Sequence, residues 1–284
     1  MSKTAANGMH IEYETVGDPA ARPLLLIGGL ADQLIHWDDA ICEDLARRGL
    51  YVIRFDNRDA GLSTNCGGAK DPKAPARAPV YTLEDMADDA VGLLDALMIG
   101  KAHVCGTSMG GMIAQILAIR HPSRVFSLIP IYSTSGNRNL PAPKPEVVQL
   151  LLTPAPRERD GYIEYMVALS RALAGKGFAF DEAWTRMITG KAYDRSFCPE
   201  GTARQINALM TQSDRRKALA SVAAPTLVVQ GTDDPLVPME AGIDIAASVP
   251  GAQLMLIEGM GHDHAHGGAW PRIVEAIAAH TLKA

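Results

Sequence analysis

Ser108 lies where a nucleophile could be made. The stretch His103-Val-Cys-Gly106-Thr-Ser108-Met109-Gly110-Gly runs directly into Met112-Ile-Ala-Gln-Ile-Leu-Ala-Ile119. A short apolar strand, a Gly-x-Ser-x-Gly turn and an amphipathic helix therefore follow one another. A turn that sharp leaves space only for small neighbours, which accounts for Gly106 and Gly110. It lifts the serine above the end of the strand, at a helix N-terminus whose free N–H groups favour developing negative charge. Serine attacks a carbonyl only when a base takes its proton, and the base needs an acid to orient it. Cys105, three residues earlier, reads as a buried and inert strand residue rather than a rival nucleophile.

Two later strand exits offer the missing partners. Thr226–Val229 leads into Gly231-Thr-Asp233-Asp234-Pro235, and Gln253–Ile257 leads into Gly259-Met-Gly261-His262-Asp263-His264. Serine, then acid, then histidine is the known chain order for a nucleophile on a strand-to-helix turn of this kind. Residue chemistry alone leaves choices within each loop. Asp234 is favoured slightly over Asp233 because the following proline stiffens its backbone. His262 is favoured over His264 and His266 because it follows Gly261 at the strand exit. The loop after Ile131, Tyr132-Ser-Thr-Ser-Gly-Asn-Arg138, has no carboxylate and cannot supply the acid. Asp263, His264 and His266 form no convincing metal set, since the triad histidine serves two roles poorly and no second ligand cluster accompanies it.

These residues need a scaffold. Asn7-Gly8, followed by the alternation Met9, Ile11, Tyr13, predicts a hairpin. Apolar runs at Pro23–Ile27, Tyr51–Phe55, His103–Cys105, Val125–Ile131, Thr226–Val229 and Gln253–Ile257 predict strands. Helical patterns fall near 38–48, 83–98, 109–120, 239–248 and 270–281. Strands that are apolar throughout belong to a parallel sheet covered on both faces, and the repeated strand-helix order predicts a doubly wound α/β fold. One block, 135–219, has no convincing strand. It opens Pro-rich at Pro141 to Pro145 and carries helices near 160–174 and 200–212, and the strand-helix order resumes after Pro225. The expected organisation is a core made of 1–134 and 220–284 with a helical cap, 135–219, over the C-terminal edge of the sheet, where ligands bind in such folds. Apolar residues of this block, among them Tyr165, Met166, Leu169, Trp184 and Met187, could line a pocket or form the cap's own core.

Composition narrows the partners. The 284 residues are 47% hydrophobic and 21% charged, with a formal net charge of −5, which is ordinary globular usage. A mildly acidic chain without a basic cluster is a poor candidate for nucleic acid or an anionic membrane. Met1 to His10 has no apolar core of a secretory signal, no run spans a bilayer, and the four cysteines are scattered. A cytoplasmic protein with reduced thiols is expected. Oligomeric state is left open, a homodimer being one option.

From hairpin to last helix, the chain resembles the α/β-hydrolase superfamily, and within it the carboxylesterase and bacterial perhydrolase-like group that includes the aclacinomycin methylesterases. The matching residues are Leu26-Ile-Gly28-Gly29-Leu30, Arg54-Phe-Asp56-Asn-Arg58-Asp-Ala-Gly61-Leu-Ser63, Gly106–Gly110, Gly231-Thr-Asp-Asp234-Pro and Gly259-Met-Gly-His262. The resemblance implies a mostly parallel central sheet, Ser108 as nucleophile, Asp234 as acid and His262 as base. It places an oxyanion hole at the N–H of Met109 plus an N–H after the strand ending at Ile27, assigned to Leu30 with Gly29 as the neighbouring alternative. Many relatives carry His-Gly where this chain has Gly28-Gly29, which changes a side chain but not a backbone donor. Asp56 and Arg58 read as loop ties. The implied reaction is hydrolysis of a small-molecule carboxylic ester through an acyl-enzyme, with no cofactor and no metal. Perhydrolysis is a side activity to consider. Alternatives are a C–C bond hydrolase or lactonase of the same fold, or a slow-turnover ligand receptor. Serine at 108 argues against epoxide hydrolases and haloalkane dehalogenases, which use aspartate there.

Overall fold

A computed structural model describes residues 1–67, 79–263 and 268–284. The chain opens with strands β1 (Ser2–Ala6) and β2 (Met9–Val16), joined by Asn7 and Gly8 at φ +48° and +73°. That pair of left-handed residues is the tight hairpin turn which Asn-Gly favours. Then follow β3 (Arg22–Ile27), α1 (Asp39–Arg47), β4 (Leu50–Phe55), α2 (Leu83–Ala96), β5 (Ala102–Thr107), α3 (Met109–Arg120) and β6 (Val125–Ile131). After a helical stretch the alternation resumes with β7 (Leu227–Gly231), α9 (Met239–Ser248), β8 (Gln253–Ile257) and α10 (Trp270–Thr281). The intervening helices are α4 (Pro145–Leu152), α5 (Arg159–Leu173), α6 (Glu182–Arg195), α7 (Pro199–Met210) and the short α8 (Arg216–Leu219). No strand occurs in 135–219.

The eight strands form one sheet in the order β1-β2-β4-β3-β5-β6-β7-β8. β1, β2 and β4 pair antiparallel, and every pairing from β4 through β3 to β8 is parallel. The apolar strand runs have a direct cause. Leu25 and Ile27 pack into one core cluster with α2 and α3, while Leu24 and Leu26 pack into another with α1 and α10. Ile53 and Phe55 alternate with Leu50 and Val52 in the same way. Successive side chains point to opposite faces, and both faces are covered, so central-strand positions are mostly apolar. Each fully buried leucine or isoleucine contributes about 1.5–3 kcal/mol of transfer free energy.

The strands β6 and β8 and the helices α3, α9 and α10 have the bounds read from the sequence, and the others differ by one or two residues. In the helical stretch the reading found α5 and α7 but not α4, α6 or α8. α6 is rich in polar residues and has only a weak apolar stripe, so periodicity gave little signal. Among the described residues, no helix is long and apolar enough to cross a membrane.

Candidate active site

Ser108 begins at the sheet. Its N–H donates to Ile131 O at 3.0 Å, tying the turn after β5 to the end of β6. Its backbone sits at φ +51°, ψ −116°, a conformation that costs a non-glycine residue roughly 1–3 kcal/mol and persists only where surroundings enforce it. The enforcement is visible at the flanking glycines. A Cβ at Gly106 would lie 2.2 Å from Gly110 O, and one at Gly110 would lie 2.2 Å from Ile27 O. Strand, turn and helix therefore touch backbone to backbone. Cys105 is fully buried, and burial pushes its thiol well above the ordinary range.

Asp234 and His262 arrive from the next two strand exits. Asp234 follows β7, and its Oδ1 accepts from Leu236 N–H at 2.9 Å and Val237 N–H at 2.7 Å. Its Oδ2 faces His262 Nδ1 at 2.8 Å, with Gln230 Nε2 at 3.4 Å. Since the carboxylate can only accept, Nδ1 carries the proton and Nε2 is left as an acceptor. His262 Nε2 lies 2.9 Å from Ser108 Oγ, so the hydroxyl donates to it. The three residues form a continuous relay from carboxylate to hydroxyl, with Asp234 and His262 buried and Ser108 partly open. Asp233 is turned away. It accepts from Lys176 N–H at 3.2 Å on the exposed side of the loop. His264 and His266 lie outside the described residues. Among the described residues no group of three or more His, Cys, Asp or Glu is arranged to hold a metal.

The loop after β3 covers the other side of the serine. A Cβ at Gly29 would lie 3.5 Å from Ser108 Cβ, so this turn rests against Ser108. Gly29 N–H is occupied by Asp32 Oδ2 at 2.8 Å, and Ala31 N–H by Gln205 Oε1 at 2.8 Å. Among the described residues, nothing accepts from the N–H of Leu30, which stands between them. Met109 opens α3, and a residue at that position has no carbonyl behind it within the helix.

The loop ties around this site connect helices to strands. Asp56 accepts from Leu34 N–H at 2.7 Å and Leu62 N–H at 2.8 Å and pairs with Arg195 of α6 at 2.8 Å. Arg58 pairs with Asp89 at 2.6 and 2.7 Å. Asp56 ties the turns at Leu34 and Leu62 together, as expected, whereas Arg58 ties its loop to helix α2. Asp32, Gln205 and Tyr132 were not singled out. Tyr132 is the first residue after β6, and its buried ring lies 4.8 Å, centroid to centroid, from the His262 imidazole. An aspartate three residues after a Gly-Gly pair is a turn signal that could have been noticed. Gln205 carries no local signal at all.

A parallel sheet with a strained serine turn and a carboxylate–imidazole–hydroxyl relay at its strand ends defines a class, and the comparisons agree with it. The alpha/beta hydrolase fold family model matches residues 22–266, and the chain belongs to that family. It is 32% identical to the rhodomycin D methylesterase DauP of Streptomyces sp. (strain C5), across 95% of this chain and 94% of that one. Among solved structures it resembles the enol-lactonase from Burkholderia xenovorans LB400, with TM-score 0.75 and 23% identity over 99% of this chain and 100% of that one. It also resembles the meta-cleavage product hydrolase from Pseudomonas fluorescens IP01, with TM-score 0.78 and 20% identity over 100% and 98% of the two chains. The likeness to these two structures is one of fold.

Proposed function

We propose that this hydrolase cleaves carboxylic esters through an acyl-enzyme on Ser108. The observation that carries the reading is the unbroken relay from Asp234 through His262 to Ser108. In the first half-reaction Ser108 Oγ attacks the ester carbonyl as His262 Nε2 takes its proton. Asp234, buried against Nδ1–H, holds the needed tautomer and stabilises the imidazolium. The carbonyl oxygen takes up charge facing the N–H groups of Met109 and Leu30. Two features support Leu30 over Gly29: the N–H of Gly29 is already given to Asp32, and that of Leu30 is not engaged by a described residue. As the tetrahedral intermediate collapses, His262 gives its proton to the departing alcohol. It then takes one from water in deacylation, which returns the serine and releases the acid.

Methyl esters are the first substrates to test, because the relative at 32% identity is a methylesterase. Lactones are cyclic esters and would follow the same steps. The helical segment 135–219 acts as a cap that sets which ester enters. The four free cysteines are in keeping with work in the reducing cytoplasm.

The deciding experiment is Ser108→Ala. The variant should fold normally and lose several orders of magnitude in ester turnover, leaving roughly the 10³–10⁴-fold residual that binding and backbone donors supply over water. A fluorophosphonate should label Ser108 in the wild-type protein and nothing in the variant. A nearly active alanine variant, or labelling elsewhere, sinks the proposal. Many turnovers with excess ester would separate an enzyme from a slow ligand receptor.

A further inference from the structure

The loop that faces Ser108 from β3 is not self-supporting. Ala31 sits at φ +61°, a left-handed conformation that a residue with a Cβ adopts only when held there. Its N–H donates to Gln205 Oε1 at 2.8 Å, and Gln205 Nε2 donates to Arg58 O at 2.8 Å. Gln205 is fully buried, on α7 of the helical segment. On the other side of the turn, Asp32 Oδ2 takes the N–H of Gly29. The next residue, Gln33, is anchored to the same segment: its Nε2 donates to Ala192 O at 2.7 Å and Ser196 O at 2.8 Å, and its Oε1 accepts from Arg195 Nη1 at 2.8 Å.

We infer that Gln205 is a positioning residue for the oxyanion hole, so the helical segment takes part in the chemistry as well as in admitting substrate. By engaging Ala31 N–H it fixes the Leu30–Ala31 peptide plane, as Asp32, through Gly29 N–H, fixes the Gly28–Gly29 plane; the Gly29–Leu30 plane between them carries the Leu30 N–H. The remaining donor, Leu30 N–H, is thereby held in one orientation beside Ser108. Without Gln205 the turn keeps its length but loses what holds Ala31 left-handed, and the plane carrying the Leu30 N–H keeps only the long bond from Asp32 N–H to Gly29 O, at 3.3 Å, so its alignment loosens. Losing an oxyanion donor outright is worth about 10²–10³ in kcat, and losing its alignment is worth part of that. The inference rests on the serine-esterase reading above.

Gln205→Met keeps the volume and removes the acceptor. With p-nitrophenyl butyrate, kcat should fall about 10- to 100-fold while KM changes less than about threefold, because the donor acts on the transition state. The Ki of an alkyl trifluoromethyl ketone, which forms an oxyanionic hemiketal on Ser108, should rise by the same factor as kcat falls. Arg204→Met is the control. It breaks the paired hydrogen bonds from α7 to Asp59, at 2.8 and 2.7 Å, without touching the turn. It should lower Tm yet leave kcat and Ki within about threefold. Should Gln205→Met fail to fold, Gln205→Asn, which keeps an amide but withdraws it by one methylene, is read in the same way. A folded Gln205 variant with wild-type kcat, or an Arg204 control with an equal loss, overturns the inference. If wild-type Ser108 is not labelled by a fluorophosphonate, the esterase reading itself fails. If it is labelled and the Gln205 variants are unaffected, only the positioning role fails.

Discussion

The two turns that meet at Ser108 are built in opposite ways. The turn between β5 and α3 is held by the sheet: Ser108 N–H bonds to β6, and Gly106 and Gly110 touch neighbouring backbone that leaves no space for a side chain. The turn after β3 is held by side chains, one from within the turn and others from the helical segment. The two partner loops divide in the same way. The Asp234 carboxylate is gripped by N–H groups of its own loop, although the neighbouring Asp233 and Pro235 accept from Lys176 and Lys144 N–H of the helical segment. His262 itself, by contrast, is tied to that segment, its N–H donating to Leu173 O at 2.8 Å, at the end of α5. A Cβ at Gly261 would lie 2.2 Å from Gly175 N, so this contact is again backbone on backbone. Ser108 thus rests on the sheet, and the Asp234 carboxylate on its own loop. His262 and the β3 turn are bonded directly to the helical segment as well.

Experiments can press on each half of this contrast. The largest expected effect is at the acid. Asp234→Asn should leave the fold intact and cut kcat by about 10⁴, because an amide in that place favours the wrong imidazole tautomer. Asp233→Asn, which loses only an exposed contact to Lys176, should stay within a few-fold of wild type. Kinetics on the two variants side by side would show whether the acid has been placed correctly, and a more sensitive Asp233 would mean that it has not. Next comes the core-held turn. Gly110→Ala should destabilise the protein by about 3 kcal/mol, at the upper end for overpacking, since the new methyl meets carbonyl oxygens of Ile27 and Gly28. Denaturant unfolding would measure this, and an unchanged midpoint would refute the claim that crowding enforces the turn. The smallest effect concerns the proposed cap. Met166→Ala on α5 should shift the ratio of kcat/KM between a short and a bulky ester by roughly 1–3 kcal/mol. Fluorophosphonate labelling of Ser108 should remain near wild type. A ratio that does not move in a folded variant would place Met166 in the segment's own core.

Trp184 illustrates why pocket residues could not be chosen from apolarity. It is large and lies in the helical segment, yet its Nε1 donates to Asp38 Oδ2 at 3.1 Å and its side chain packs against the cluster of Leu34, Ile35, Ile188 and Ala192. Leu169 is buried and Met187 is half exposed. Each was an equal candidate by type, and neighbours from distant parts of the chain sorted them.

What the sequence determined by itself is whatever depends on a few adjacent residues. Two-sided burial makes strands apolar throughout, so their ends could be located. Ser108, Asp234 and His262 each stand a few residues beyond such an end, which is why all three were legible. Small residues around Ser108 marked a turn that only glycines permit. The choice between Asp233 and Asp234 was the limit of that reading, because adjacent carboxylates differ only in the direction they face. Tertiary structure decided that direction, and it decided everything that joins distant segments. Ala31 and Gln205 stand 174 positions apart, and no periodicity or motif connects them. A hydrogen bond of that span depends on where α7 docks, and the docking follows from the summed packing of whole elements, which adjacent residues do not encode.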